Sequence, residues 1–352
     1  MSTDSIFIAV HIGAGILSRS KESKYRSACS KACRIGMSIL KQENGTAIEA
    51  VTKAIQHLED NPVTNAGYGS NLTLTGTVEC DASLMSGEYG TFGAVGAVCG
   101  IKNPIKTAYQ MVIEAEKGLL SLGRIPPMLL TGQGAKEWAK LRGHSIINNE
   151  DLIEPTSYQT YLKHIQMLLE DQEAQNSDLL GHDTVGAIAI DINGNIAAGV
   201  SSGGISLKFP GRVGEAAIYG SGCWAQDEKG DLPGVACSTT GTGEQIMRTM
   251  FTYKCVQRLL KEDDIQVAMT NTLTKDFLES PFLDIYDQKS VGIIALRSQK
   301  SNNKTRLEFW YGHTTDAMGI GYMTSTCKNP KAFISRKNEN NEKLVSSGWL
   351  IP

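Results

Sequence analysis

The sequence predicts an α+β fold in which strands are covered by paired helices, and three observations carry that expectation. In the first half, apolar periodicity runs strand, helix, helix, strand, strand, helix, helix, which is not a βαβ repeat. The second half mirrors it, with strands, two helices and strands again. Between the halves, at Asp183-Thr184, a polar acidic stretch gives way abruptly to an apolar hairpin pattern. A chain of 352 residues leaves one large core or two fused halves as the options.

Ile6 to His11 reads as the first strand and runs into Gly13-Ala14-Gly15, where small residues let another group approach the backbone. Ala28, Ala32, Ile35 and Ile39 recur at helical spacing within Lys21 to Leu40, and a second amphipathic helix over Thr46 to Leu58 stops at Asn61-Pro62. Asn65-Ala-Gly-Tyr-Gly-Ser70 is a glycine-punctuated loop. Leu72 to Met85 and Gly93 to Ile101 alternate as strands do, and Pro104 to Lys117 and Gln133 to Leu141 return to helical spacing.

In residues 150–182 the acids Glu150, Asp151, Glu154, Glu170, Asp171, Glu173 and Asp178 stand against Lys163 alone. Tyr158 to Leu169 has a helical pattern; the rest reads as an exposed, mobile linker with little to bury. Val185 to Ile192 and Ile196 to Ser201 then form a buried hairpin around the turn signal Asn193-Gly194. Further strands fit Ile218 to Cys223, Val235 to Thr239, Ser290 to Leu296 and Leu307 to Met323, with helices over Glu244 to Leu260 and Ile265 to Leu278.

Bulk composition excludes several function classes. Lys and Arg number 34 against 37 Asp and Glu, a formal charge of −3, without the electrostatic footprint of a nucleic-acid binder. The apolar run Ile6-Phe7-Ile8-Ala9-Val10 lacks a basic leader and is too short for a signal peptide or a membrane span, so the expectation is a chain without membrane contact, inside the cell. The eight cysteines include no CxxC pair; Cys29 and Cys33 are four apart, as helix neighbours are, and all read as reduced thiols. No P-loop, zinc spacing or strand-to-helix GxGxxG context calls for a cofactor or metal.

The chemistry centres on Thr184, whose hydroxyl opens an apolar strand directly after a water-accessible segment. A threonine hydroxyl needs a base, and none of the six histidines lies in a recognisable Ser/His/Asp arrangement. An N-terminal threonine carries its own base, an α-amine of pKa about 7.7–8.0, once the preceding peptide bond is cut. The exposed segment before Thr184 is a place where such a cut leaves the core intact.

Eight fragments in one order complete the reading: His11-Ile-Gly-Ala-Gly15, Asn65-Ala-Gly-Tyr-Gly-Ser70, Glu79-Cys-Asp-Ala-Ser83, Gly123-Arg-Ile-Pro-Pro127, Asp183-Thr-Val-Gly186, Ser201-Ser-Gly-Gly204, Pro210-Gly-Arg-Val-Gly214 and Thr240-Gly-Thr-Gly-Glu244. Over nearly its whole length the chain resembles the N-terminal nucleophile hydrolases of the asparaginase type, and within them the threonine aspartases, or taspases. The resemblance implies a four-layer αββα sandwich, autoprocessed between Asp183 and Thr184 into an α chain 1–183 and a β chain 184–352 that together form one catalytic domain. It also implies assembly as a dimer of αβ units. Carried over by position, Thr184 is the nucleophile, Ser202 tunes it, Thr240 and the Gly241 N–H hold the oxyanion, and Asn65 stands beside the nucleophile. Arg212, with Lys21 as a second cation, binds a substrate carboxylate, which a guanidinium grips bidentately. Glu215 and Gly243 complete the substrate site. A monovalent ion near the Asn65 loop is a further implication.

Asparaginase relatives usually read Gly-Arg-Val-Gly-Asp, the acid holding the α-ammonium of a small substrate; here Glu215 takes its place. That change, with Ala216-Ala-Ile-Tyr-Gly-Ser-Gly-Cys-Trp224 downstream, resembles taspases more closely. The expectation is therefore an endopeptidase that cuts protein substrates after an internal Asp, at Asp-Gly type sites in transcription regulators, in cytoplasm or nucleus. The alternatives are an L-asparaginase or isoaspartyl peptidase on small substrates, and an unprocessed interaction module.

Overall fold

A computed structural model describes residues 6–170, 183–301, 304–338 and 343–351. The strands are β1 (Phe7–Gly15), β2 (Cys80–Ser86), β3 (Phe92–Val98), β4 (Leu129–Thr131), β5 (Val185–Ile190), β6 (Ile196–Ser202), β7 (Cys223–Gln226), β8 (Gly234–Gly241), β9 (Val291–Ser301), β10 (Lys304–His313), β11 (Ala317–Thr324), β12 (Lys331–Arg336) and β13 (Val345–Ile351). The helices are α1 (Glu22–Leu40), α2 (Ala47–Glu59), α3 (Pro104–Ala115), α4 (Gly132–Leu141), α5 (Pro155–Leu169), α6 (Gly243–Thr249), α7 (Phe251–Lys261) and α8 (Ile265–Asn271), the last continued by a π-helical turn over Thr272–Leu278.

An eight-stranded sheet runs β12-β11-β1-β5-β6-β2-β3-β4 and a five-stranded sheet runs β13-β10-β9-β8-β7. β1 shows how the layers form. Its side chains alternate between faces, so Ile8, Val10 and Ile12 join a core shared with α1, α2 and α3, while Phe7 and Ala9 join Phe309, Ile294 and Leu296 between the two sheets. A third core, with Phe251, Leu259 and Phe277, lies between the smaller sheet and α6 to α8. The result is the expected four-layer αββα sandwich. Each fully buried large apolar side chain contributes about 1.5–3 kcal/mol.

Local signals place several boundaries. Thr46 caps α2, its Oγ1 accepting from the Glu49 N–H at 3.3 Å in a Thr-x-x-Glu capping pattern, and Pro104 and Pro155 open α3 and α5. The β5–β6 hairpin turns through Asp191 to Asn195, with Gly194 at φ +88° and the Asp191 carboxylate accepting from the Asn193 and Asn195 N–H groups at 3.0 Å. The predicted hairpin is thus present, its turn wider than two residues.

Five expectations need correction. Residues 72–79 form no strand; threonine hydroxyls close them into a loop, Thr73 Oγ1 lying 2.7 Å from Thr77 Oγ1, and the strand starts at Cys80. Residues 218–222 form a turn, with Gly220 at φ +74°, and the strand starts at Cys223. The helix expected over Glu244 to Leu260 breaks at Met250, which adopts φ +51°, and the strand expected over Leu307 to Met323 is two strands divided by the polar turn at residues 314–316. The linker is shorter than expected, because a 3-10 turn at Asn149–Leu152 and α5 fold most of its first part onto the protein. Residues 171–182 of the expected linker lie outside the described residues.

For function, the consequence is where the strands end. Thr184 immediately precedes β5, Ser202 ends β6, and Thr240 and Gly241 end β8 of the opposite sheet. Residues from both sheets therefore meet at one edge of the sandwich.

Candidate active site

Thr184 is 2 % exposed, and groups from three segments hydrogen-bond with it. Thr184 Oγ1 lies 2.8 Å from Glu215 Oε1 and 3.1 Å from Ser202 Oγ. A hydroxyl has one proton to give. When Glu215 is ionised that proton goes to the carboxylate, and Ser202, whose oxygen accepts the Gly204 N–H at 3.0 Å, is free to donate to Thr184 Oγ1. The Thr184 N–H donates to Thr240 Oγ1 at 3.1 Å, leaving the Thr240 hydroxyl proton available to an oxyanion. Gly241 sits at φ +134° against the Ser290 carbonyl, a backbone conformation and a closeness that a side chain would not fit.

Asp183 rests on the register shift between His11 and Ala14 of β1. A Cβ on Gly13, at φ +113°, would lie 2.5 Å from the Asp183 Cβ, so the glycine makes room for the residue on the far side of the 183–184 bond. This is the close approach that Gly13-Ala14-Gly15 foreshadowed.

Arg212 binds Glu244 through Nε at 2.9 Å and Nη2 at 2.7 Å, while Nη1 faces Gly204 and Gly214. Burial opposes the Arg212 charge, but the Glu244 pairing and the Glu215 and Asp81 carboxyls raise its pKa further, so it stays cationic. Burial pushes the Glu215 carboxyl up to about 7, against the pull of Arg212 and of the Thr184 hydrogen bond. Arg212 and Glu215 converge on Gly243: a Cβ there would lie 2.5 Å from Glu215 Oε2 and 2.7 Å from Arg212 Nη2. A fixed cation, an acid and a missing side chain beside a hydroxyl can receive a zwitterionic amino-acid head group.

Of the residues expected from sequence, the structure brings together Asp183, Thr184, Ser202, Thr240, Gly241, Arg212, Glu215 and Gly243. Asn65 makes its hydrogen bonds to the chain just after Ser202. Its Nδ2 donates to the Gly204 carbonyl at 2.9 Å, its Oδ1 accepts from the Asn71 N–H at 2.8 Å, and its carbonyl accepts from the Gly203 N–H, so it braces the loop after Ser202. Lys21 stands exposed before α1, and among the described residues no hydrogen bond or ion pair ties it to the site. For the monovalent ion, the turn before Asn65 offers neutral backbone oxygens. The Asn61 and Pro62 carbonyls lie 3.1 Å from the Cβ position of Gly69, a donor type that fits a hard cation.

Sequence reasoning missed two acids and a histidine. Glu244 is the partner that orients Arg212. Asp81 accepts from the Gly214 and Ala97 N–H groups at 2.8 Å each and so fixes the loop that carries Arg212 and Glu215. His11 Nε2 lies 2.8 Å from Ser238 Oγ beneath Gly186, and burial lowers its pKa to about 3, keeping the ring neutral. All three stand inside the quoted motif fragments, and a charged or imidazole side chain beside glycine or apolar residues was the available signal.

A family model described as asparaginase matches residues 4–306. The chain belongs to the asparaginase family. It is a hydrolase of the N-terminal nucleophile type, and relatives of this asparaginase-family chain include the isoaspartyl peptidase/L-asparaginase of Xenopus laevis, 39% identical over 243 residues covering 69% of this chain and 72% of the relative. The isoaspartyl peptidase/L-asparaginase of Homo sapiens is 38% identical over 237 residues, 67% of this chain and 70% of the relative. The isoaspartyl peptidase of Escherichia coli K12 is 34% identical over 262 residues, 70% of this chain and 74% of the relative. These relatives overturn the expectation of an Asp-specific endopeptidase of the taspase kind. That expectation leaned on Glu215, which differs from aspartate by one methylene and still presents a carboxyl group beside Arg212. No helix among the described residues is long and apolar enough to cross a membrane.

Proposed function

We propose that this protein is an isoaspartyl peptidase/L-asparaginase that hydrolyses β-aspartyl amides of small substrates, after cutting its own chain between Asp183 and Thr184. The observation that carries the reading is the convergence of Arg212 and Glu215 on Gly243 beside the Thr184 hydroxyl. Asparagine and an isoaspartyl residue at a peptide's start both present an α-carboxylate and an α-ammonium on one carbon, with the acyl carbon one methylene away. Arg212 takes the carboxylate, Glu215 takes the ammonium, and the β-carbonyl faces Thr184. The names of the relatives from Xenopus, human and Escherichia coli support the same substrate class.

Chemistry follows from the new chain end. The Thr184 α-amine, of ordinary pKa about 7.7–8.0, draws the hydroxyl proton as Oγ1 attacks the β-carbonyl carbon. Thr240 and the Gly241 N–H hold the resulting oxyanion. Ammonia, or the amine of the following amino acid, leaves with the proton, and water then hydrolyses the aspartyl ester on Thr184.

The test uses purified protein on asparagine, a β-aspartyl dipeptide and a Leu-Asp-Gly peptide. The expected outcome is turnover of the first two with the third intact, by protein that yields two bands of about 20 and 18 kDa at roughly 110 Da per residue. Thr184→Ala should remain one chain and be inert. Cut protein that turns over neither small substrate would remove the reading.

A further inference from the structure

We infer that Glu215 is the base that takes the proton from the Thr184 hydroxyl when the chain cuts itself, an inference that rests on self-cleavage at Asp183-Thr184 as proposed above. The amine that serves as base in the cut enzyme does not yet exist in the uncut chain. There the Thr184 nitrogen is a peptide nitrogen, its lone pair delocalised and its hydrogen donated to Thr240 Oγ1. Some other group must receive the hydroxyl proton. Among the described residues, two side chains hydrogen-bond with Thr184 Oγ1, and Ser202 is itself a hydroxyl, a poor proton acceptor near neutral pH. The Glu215 carboxylate, 2.8 Å away, is within the reach that a general base requires.

The length of glutamate places the carboxylate against Oγ1. An aspartate at position 215, the usual residue of asparaginase relatives, would draw the carboxylate back by one carbon–carbon bond, about 1.5 Å, and out of hydrogen-bond reach of Oγ1. The extra methylene therefore gives one side chain two successive duties: to the nucleophile before the cut, and to the substrate ammonium after the Thr184 amine has taken over as base.

The step balances without a co-reactant beyond water. Oγ1 bonds to the Asp183 carbonyl carbon as its proton passes to Glu215. The bond from that carbon to the Thr184 nitrogen then breaks, and Glu215 returns the proton to the departing nitrogen. Water hydrolyses the ester, freeing the Asp183 carboxylate and restoring the Thr184 hydroxyl. Among the described residues, the charged groups that face Glu215 are Arg212, on its own loop, and Asp81, on β2; α6 meets it at uncharged Gly243.

The experiment follows cutting of freshly translated full-length chain on denaturing gels, in wild type, Glu215→Gln and Glu215→Asp, across pH 5 to 8.5. Glutamine keeps the length of the side chain and takes no proton, so cutting should slow by about 100-fold or more. Aspartate, one methylene shorter, should also cut slowly. The wild-type rate should climb with pH and level off near 7, the value to which burial raises this carboxyl. A wild-type chain that never cuts would remove the self-cleavage reading itself. Wild type that cuts while folded Glu215→Gln cuts equally fast would overturn the inference alone. A wild-type rate unchanged over the whole pH range would also overturn it, even if Glu215→Gln failed to fold.

Discussion

Two of the three nitrogens of Arg212 are committed to Glu244, at 2.9 and 2.7 Å, and the Glu244 side chain is 40% exposed, so the pair spans from the interior toward the mouth of the site. A planar fork can hold Glu244 on one edge and offer its remaining donors to a substrate carboxylate; an ammonium is a point charge and cannot hold both in that geometry. Arg212→Lys should therefore weaken substrate binding more than it slows chemistry. With a charged hydrogen bond worth about 1.5–3 kcal/mol, KM for a β-aspartyl dipeptide should rise roughly 10- to 100-fold while kcat changes little. Steady-state kinetics check this, and an unchanged KM would remove Arg212 from the substrate site. Much of this site was legible in the sequence because its residues lie in short glycine-rich fragments at strand ends. What was not legible is which partner each side chain takes. Asn65 bonds to Asn71 in its own loop and to Gly204 some 139 residues away, and that second partner is set by the path of the chain, which no local pattern shows.

At the scale of elements, Glu59 joins three of them. At the end of α2, fully buried, its Oε1 accepts from the Ile105 N–H of α3 at 3.0 Å and from the Ser201 hydroxyl of β6 at 2.7 Å, one residue before Ser202. Burial pushes its carboxyl up to about 8, whereas in the unfolded chain it titrates at about 4.3. The folded state thus holds a proton that the unfolded state releases. The stability from this group is complete below about pH 4.3 and is lost as pH rises toward 8. Glu59→Gln keeps an oxygen acceptor and cannot ionise, so its melting temperature relative to wild type should increase steadily from pH 5 to 8.5, by the equivalent of a few kcal/mol at most. A difference that stays flat with pH would mean that Glu59 is ionised in the folded protein. Element boundaries show where pattern reading succeeds. The starts and ends of α1 and α2 were legible to within a residue, because burial on one face imposes the helical period. The break at Met250 and the turn at residues 314–316 were not, because the residues that form them include no glycine or proline. The outer strands β12 and β13, with mostly half-exposed or exposed side chains, carried no apolar alternation and went unread.

In the whole molecule, the two products of a cut at residue 183 would be interleaved. β1 belongs to the first product, yet its neighbours on both sides, β11 and β5, belong to the second, and β6 of the second pairs with β2 of the first. The core between the sheets likewise takes Phe7 from one product and Phe309, Ile294 and Leu296 from the other. Separating the products would strip hydrogen bonds from both edges of β1 and expose two apolar faces at once. With each large buried side chain worth about 1.5–3 kcal/mol, the loss runs to tens of kcal/mol, more than a folded half could withstand. The cut protein should therefore elute in one peak at the position of the uncut Thr184→Ala chain, each αβ unit keeping the 38.0 kDa of the precursor. Denaturant should release both fragments together, in a single transition at one midpoint by fluorescence and by far-ultraviolet circular dichroism. Fragments that separate on a column without denaturant, or that unfold at two midpoints, would show that the interleaved sheet does not hold the halves together.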